Sequence, residues 1–226
     1  MYPSTITDAQ KKLIEKHLDL VLQANEKTNI TRIDNRKQAE LLHIEDSLVG
    51  LPECLAAPSG FYGDIGSGAG YPGFPIAIAT GRKTTLVESV KKKAQLLDQF
   101  SKELSLNSQV AVYPGRTEEL ALAQPSFFSL ITARAVTALP SLLELAAPLL
   151  SIGGWLVSYK ADRIDDELSW ALSIQEKLGF SLQSNERRKL SDGKTIRRIL
   201  VFEKTAVPSV KLPRRPGMAQ KRPYKA

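Results

Sequence analysis

Residues 64–75 read DIGSGAGYPGFP, with four glycines and two prolines in twelve positions of a chain that has only 14 Gly and 13 Pro in 226. Glycine gives up side-chain packing and loses the most entropy on folding, so such a run marks a backbone that something must approach closely. The pattern D-x-G-x-G-x-G falls on Asp64, Gly66, Gly68 and Gly70. Gly68, Gly70 and Gly73 also satisfy the dinucleotide fingerprint G-x-G-x-x-G, a weak signal by itself. Glu88, 18 residues beyond Gly70, is placed to accept hydrogen bonds from ribose hydroxyls. That combination serves any adenosine-bearing cofactor. Two points favour S-adenosyl-L-methionine over a nicotinamide. An acid two residues before the first glycine repels a pyrophosphate, yet it can serve the ammonium of a methionine moiety, directly or through water. Pro72 and Pro75 also remove two amide donors from the turn a phosphate would use, although Pro75 fits the first position of a helix at no cost. A purely structural turn and an NAD(P)-dependent oxidoreductase are the competing readings.

His43, Asp46 and Ser47 stand at i, i+3 and i+4, on one face of a helix. Three residues on adjacent turns cannot converge as a hydrolytic triad does. Two histidines and one cysteine in the chain give no metal set either. Their expected role is to buttress the glycine loop, with an RNA contact as the alternative. Asn29 and Thr31 are read as a linker turn and helix cap, or else as a lip over the cofactor pocket. Lys91, Lys92 and Lys93 open the helix after Glu88 and read as a solvated face or a contact to a phosphate group of the substrate.

These residues need elements to carry them. A T-x-x-Q capping box on Thr7 and Gln10 predicts a helix with Leu13, Ile14, Leu18 and Val21 as its apolar stripe. A second helix is predicted over 36–50, ended by PECLAAPSG. Residues 1–58 thus read as a helical cap. Strands then alternate with helices: strands at 61–65, 84–88, 109–113, 128–133 and 155–159, helices at 90–104, 116–123, 139–150 and 165–178. Strands 180–190 and 195–203, joined by the turn SDG, close the domain. Repeated βα units predict a parallel sheet covered on both faces, and the closing hairpin one antiparallel strand. The domain should span 59–204.

Composition adds limits. The single Cys54 excludes an intramolecular disulfide and favours a reducing compartment. No signal peptide and no run of about 18 apolar residues is visible, which predicts a cytoplasmic protein with no membrane contact. The net charge of +7 resides entirely in 204–226, which holds seven basic residues and no acid. A basic, proline-punctuated tail (205–226) on a neutral body predicts a phosphate-rich partner, with Arg214, Arg215, Lys221 and Arg222 as contacts. A solvated, disordered end is the alternative.

Seven short motifs taken in order are more specific: NITRI (29–33), HIEDSL (43–48), DIGSGAGYPGFPIAI (64–78), VESVKKKAQLL (87–97), GRTEEL (115–120), ARAV (133–136) and YKA (159–161). In these the chain resembles the RsmG (GidB) family of small-subunit rRNA guanine-N7 methyltransferases. The resemblance implies the α/β class I (Rossmann-like) methyltransferase fold, with a mostly parallel seven-stranded sheet and an N-terminal helical cap. It also implies S-adenosylmethionine contacts at Gly66, Tyr71, Thr117, Glu118 and Arg134, with Glu88 on the ribose. The implied substrate is 16S rRNA, at guanine 527, in the 30S subunit or its precursor; separately, the chain is expected to act as a monomer. Tyr71 stands where relatives often have leucine. The tail RRPGMAQKRPYK is looser than the lysine- and proline-rich ends of long family members.

The chemistry agrees independently. Methyl transfer to a ring nitrogen is an in-line displacement on a bare lone pair, which needs alignment more than a base. Alignment can contribute roughly 7–11 kcal/mol. The N-P-P-Y or D-P-P-Y tetrad of amino-nitrogen methyltransferases is absent, and ARAVTALP takes its place. Cys54 lies far from every motif, which argues against pyrimidine C5 chemistry. Arg134 would bind the donor's carboxylate or guanine O6, or be salt-bridged to Glu118 or Glu119 without touching a ligand.

Overall fold

The computed structural model describes residues 2–225. Thr7 is the N-cap of α1 (Asp8–Thr28): its hydroxyl accepts from the Gln10 amide at 3.3 Å, and Gln10 Oε1 accepts from the Thr7 amide at 2.9 Å. Gln10 Nε2 also donates to the carbonyls of Ile78 and Ala79 at 3.0 and 3.2 Å. One side chain therefore starts α1 and ties it to the end of the glycine-loop helix. Ile14, Leu18 and Val21 are fully buried, each contributing roughly 1.5–3 kcal/mol.

The second helix differs from the prediction. In place of one helix over 36–50 stand α2 (Arg36–Ala39), a π-helical segment (Glu40–Glu45) and α3 (Asp46–Leu48). The expected terminator becomes α4 (Leu51–Ala56), with Pro52 in its first turn where no backbone N–H is needed. A π turn inserts one residue without changing composition, so apolar spacing does not reveal it.

The sheet comprises β1 (Phe61–Ile65), β2 (Thr84–Val87), β3 (Val110–Tyr113), β4 (Phe128–Arg134), β5 (Leu150–Ala161), β6 (Phe180–Lys189) and β7 (Ile196–Lys204). Their order is β3-β2-β1-β4-β5-β7-β6. Pairings from β3 to β5 are parallel, and β7 is antiparallel to both neighbours. Between them run α5 (Gly73–Thr80), α6 (Lys91–Glu103), α7 (Thr117–Ala123), α8 (Leu139–Ala146) and α9 (Asp165–Ile174). The predicted helices at 139–150 and 165–178 end earlier, at Ala146 and Ile174. Leu150 opens a strand of 12 residues, because a continuous apolar run cannot be divided between helix and strand by periodicity. Pro75 is the third residue of α5, not the first, still within the turn whose amides lack helical partners.

Two apolar clusters hold the layers. Ile14, Leu18, Cys54, Phe74, Leu86 and Phe100 belong to one, so the cap shares its core with the sheet. Phe128, Leu143, Leu156, Ile174 and Phe202 belong to the other. Arg82 fastens the cap's end by donating to Pro58 O at 2.6 Å and Ala57 O at 2.7 Å. The β6–β7 hairpin also reaches the cap, where Arg188 Nη1 meets Glu53 at 2.9 Å and Ser191 donates to Glu45. No described helix is long and apolar enough to cross a membrane.

The tail corrects an expectation, since it is folded against the body. Arg214 makes a two-pronged bond to the buried Glu144 at 2.6 and 2.5 Å and lies 4.3 Å from the Tyr224 ring. Trp170 donates to Tyr224 O at 2.8 Å, and Ala219 of α10 (Met218–Lys221) is buried. Buried Glu144 needs a cation, which removes Arg214 from the phosphate-facing set. Arg215, Lys221 and Arg222 remain exposed.

Candidate active site

The glycine loop leaves the end of β1 where the chain order reverses between β1 and β4, the crevice in which open α/β sheets receive ligands. Gly66 and Gly68 have φ of 68° and 58°, a conformation that a Cβ resists. A Cβ at Gly66 would stand 2.8 Å from Val136, whereas at Gly68 nothing but the Gly66 carbonyl lies within 4 Å, at 3.9 Å. The loop is therefore closed at its root and bare at its crest, which fits close approach by a ligand. Both amides at the root, Gly66 and Ser67, donate to Val87 O at 2.9 and 3.1 Å. Gly70 follows at φ 94°, its amide on Ser67 O at 2.7 Å.

Glu88, buried at the end of β2, accepts the Gly68 amide at 2.9 Å and the Val90 amide at 2.8 Å. A carboxylate offers about four acceptor positions, so two stay open for ribose hydroxyls. Asp64 does not line the crevice. It is fully enclosed beneath the loop, accepting from Thr132 Oγ1 at 2.6 Å, while Oδ2 has no partner among the described residues. Burial pushes its pKa up to about 6, against the opposing hydrogen bond of Thr132. Direct contact with a methionine ammonium, expected from spacing, has no route here.

Tyr71 joins loop and cap. Its ring lies flat on His43, with centroids 4.5 Å apart and planes at 4°, and it meets His17 of α1 at 4.6 Å. His17 Nε2 contacts Ala69 O at 3.1 Å, and His43 Nε2 contacts Thr31 Oγ1 at 3.1 Å. Burial holds both rings neutral, lowering their pKa values to about 3 and about 4; the Arg134 charge adds to the effect at His43. Asn29 is the left-handed C-cap of α1, and the Thr31 amide donates to Asn25 at 2.9 Å. NITRI thus serves as cap and turn, and Thr31 orients His43. Ser47 donates to its own turn at His43 O, and its carbonyl accepts from Tyr159 at 2.9 Å.

Thr117 and Glu118 open α7 after β3, both buried. Glu118 Oε1 accepts the amide of Gly217 in the tail at 2.7 Å. Lys91 and Lys92 project from the first turn of α6 into solvent.

Arg134, the last residue of β4, has neither Glu118 nor Glu119 as partner. Its Nη1 donates to Asp46 Oδ2 at 2.9 Å and Leu42 O at 3.0 Å, and its guanidinium is 5.8 Å from the Tyr71 ring centre. Asp46 also takes Arg197 of β7, with Nε at 2.6 Å and Nη2 at 3.1 Å. These groups, with His43, Ala135 and Lys160, line a cavity of about 390 Å³ at the ends of β4 and β5. Lys160 is paired with Glu167 and donates to Thr137 O at 2.6 Å. Ala135 adopts φ 57°, a strained conformation for a residue with a Cβ, costing of order 1–3 kcal/mol. It sits between Arg134 and Val136, whose methyls seat on Gly66.

The sheet order thus gathers the ends of β1, β2, β3 and β4, bringing Gly66, Gly68, Gly70, Tyr71, Glu88, Thr117, Glu118 and Arg134 to one edge. Sequence reasoning missed Arg197, the Gly217 contact and the Asp46–Arg134 pair. HIEDSL and YKA flagged Asp46 and Lys160 as notable, but nothing in the RRI of β7 signals Arg197.

A seven-stranded sheet in this order, with an antiparallel seventh strand and a glycine loop after the first, is the class I methyltransferase architecture. The O-methyltransferase from Bacillus cereus, solved in complex with SAH, has the same fold at TM-score 0.59 and 18% identity, over 88% of this chain and 99% of its own. The family described as "GidB: rRNA small subunit methyltransferase G" matches residues 10–193. Ribosomal RNA small subunit methyltransferase G of Streptococcus sanguinis is 35% identical over 96% of this chain and 93% of its own length. The protein of the same name from Carboxydothermus hydrogenoformans is 33% identical over 94% and 91%. The chain belongs to this family, which decides against the nicotinamide reading.

Proposed function

We infer that this chain transfers the methyl group of S-adenosyl-L-methionine to N7 of a guanine in small-subunit ribosomal RNA. The observation that carries the reading is the bare crest of the glycine loop at Gly68, pinned to Glu88 at the sheet's reversal point, in a chain matching the family over residues 10–193. Bound S-adenosylmethionine supplies an electrophilic methyl on a sulfonium. The protein's part is to hold and orient. Gly66, Gly68 and Gly70 would present backbone, Glu88 would take ribose hydroxyls, and Thr117 and Glu118 would also contact the donor. Arg134 keeps Nε and Nη2 free of hydrogen bonds to described residues, which suits the donor's carboxylate. Guanine N7 carries no proton, so no general base is required.

Arg215, Lys221, Arg222, Lys91 and Lys92 are the exposed cations proposed to meet RNA phosphate, in a 30S particle or its precursor. We take the chain to act in the cytoplasm as a monomer. Mass spectrometry of small-subunit rRNA from cells lacking the protein tests the reading, which expects loss of a single 7-methylguanosine. An unchanged modification pattern would sink it. In vitro, S-adenosylhomocysteine should raise the melting temperature and NADH should not.

A further inference from the structure

We propose that Asp46, on the helical cap, is a positioning residue for cofactor binding: its carboxylate aims Arg134 at the carboxylate of the methyl donor. The inference rests on the reading of Arg134 given above. Asp46 is almost fully enclosed, yet it faces two guanidinium groups that are themselves only slightly exposed. Arg197 engages it as a fork on Nε and Nη2, using both carboxylate oxygens at 2.6 and 3.1 Å. That clamp fixes the carboxylate plane, and Oδ2 then holds Arg134 Nη1 at 2.9 Å.

The same Nη1 donates to the Leu42 carbonyl at 3.0 Å. Leu42 lies within the π segment and Asp46 directly follows it, the Asp46 amide bonding back to Leu41, five residues earlier. This wide turn lets one short segment offer Arg134 both a carbonyl and a carboxylate while setting His43 flat on Tyr71. With Nη1 committed on two sides, rotation of the guanidinium is blocked. Its other edge, Nε and Nη2, is the edge that can grip a second carboxylate bidentately. The arrangement carries one negative and two positive charges, so it still attracts an anion. Nothing in the chemistry of methyl transfer needs Asp46 itself.

The test is calorimetric binding to the full-length protein of two ligands: S-adenosylhomocysteine, which carries the amino-acid carboxylate, and 5′-methylthioadenosine, which lacks it. Asp46→Asn keeps the side-chain shape and one acceptor oxygen while removing the charge, a milder change than alanine, which would leave both guanidinium groups with no acceptor there. Loss of one charge-assisted hydrogen bond predicts an S-adenosylhomocysteine Kd about tenfold higher, with methylthioadenosine affinity unchanged. Arg134→Ala should weaken S-adenosylhomocysteine at least as much, and adding Asp46→Asn to it should have no further effect. If Arg134→Ala weakens binding but Asp46→Asn does not, or if the two effects add, Asp46 does not act through Arg134 and the inference fails alone. If Arg134→Ala leaves affinity unchanged, the carboxylate reading falls and the inference with it. Equal losses for both ligands would mark Asp46 as a general support of the fold and also overturn the proposal.

Discussion

The two sides of the crevice are held by different means. On the β1–β2 side the shape is backbone: positive-φ glycines, amides on Val87 O, and Glu88 accepting from Gly68, twenty residues away. On the β4–β5 side the shape is side-chain charge: Arg134 to Asp46 across 88 residues, Asp46 to Arg197 across 151. The first kind of construction depends on residue types that few alternatives can replace. The second depends on a fold that brings distant, individually ordinary residues together. Damage should differ accordingly, abrupt on the backbone side and graded on the charged side.

The largest effect is expected from Gly66→Val. A β-branched residue at φ 68° with Val136 2.8 Å from its Cβ combines backbone strain with overpacking, about 3 kcal/mol in all. Calorimetry should show S-adenosylhomocysteine affinity lower by about a hundredfold in a protein that keeps its circular dichroism spectrum. Retained affinity would show that the loop root is not what shapes the site. Asp46→Asn, on the other side, should cost only about tenfold.

Acid should loosen the link between the sides, because both histidines of the stack with Tyr71 are held neutral. Their folded pKa values, about 3 and about 4, lie below the ordinary 6.5. The unfolded chain therefore binds more protons, and stability falls as pH drops below about 6.5. Between pH 7 and pH 5 each should cost about 2 kcal/mol. Asp64, raised to about 6, works in the opposite direction and returns about 1 kcal/mol on acidification. Urea titrations at the two pH values check this, and His43→Asn should remove roughly two-thirds of the net loss. A pH-independent midpoint would refute it.

The smallest effect lies outside both sides. Replacing Lys91 and Lys92 by alanine should leave stability within about 0.5 kcal/mol, since both are solvent-facing. RNA affinity should change chiefly in its salt dependence, the log–log slope becoming shallower by about 1.4 if each meets a phosphate. An unaltered slope would assign them to a plain solvated face.

Local features could be read directly. The Thr7–Gln10 box, the short strands on either side of DIGSGAG, and helix 90–104 with its apolar stripe all formed within a residue or two. Each rests on interactions a few residues apart, which spacing encodes. The π segment escaped because it keeps the composition of a helix, and α4 because a first-turn proline resembles a stop. The tail misled for a related reason. Seven positive charges indicate a phosphate partner only while they are free, and whether Arg214 is free depends on the buried Glu144, 70 residues away.

From the sequence alone came the βα alternation, the bare loop, the acid that follows it and the family motifs, because each reflects the stereochemistry of neighbouring residues. Tertiary structure alone decided that Asp64 lies under the loop, that Asp46 stands between Arg134 and Arg197, and that Glu118 receives the tail. Those outcomes depend on which side chains share a low-dielectric interior, and a buried charge must find its partner wherever the chain brings one within about 3 Å.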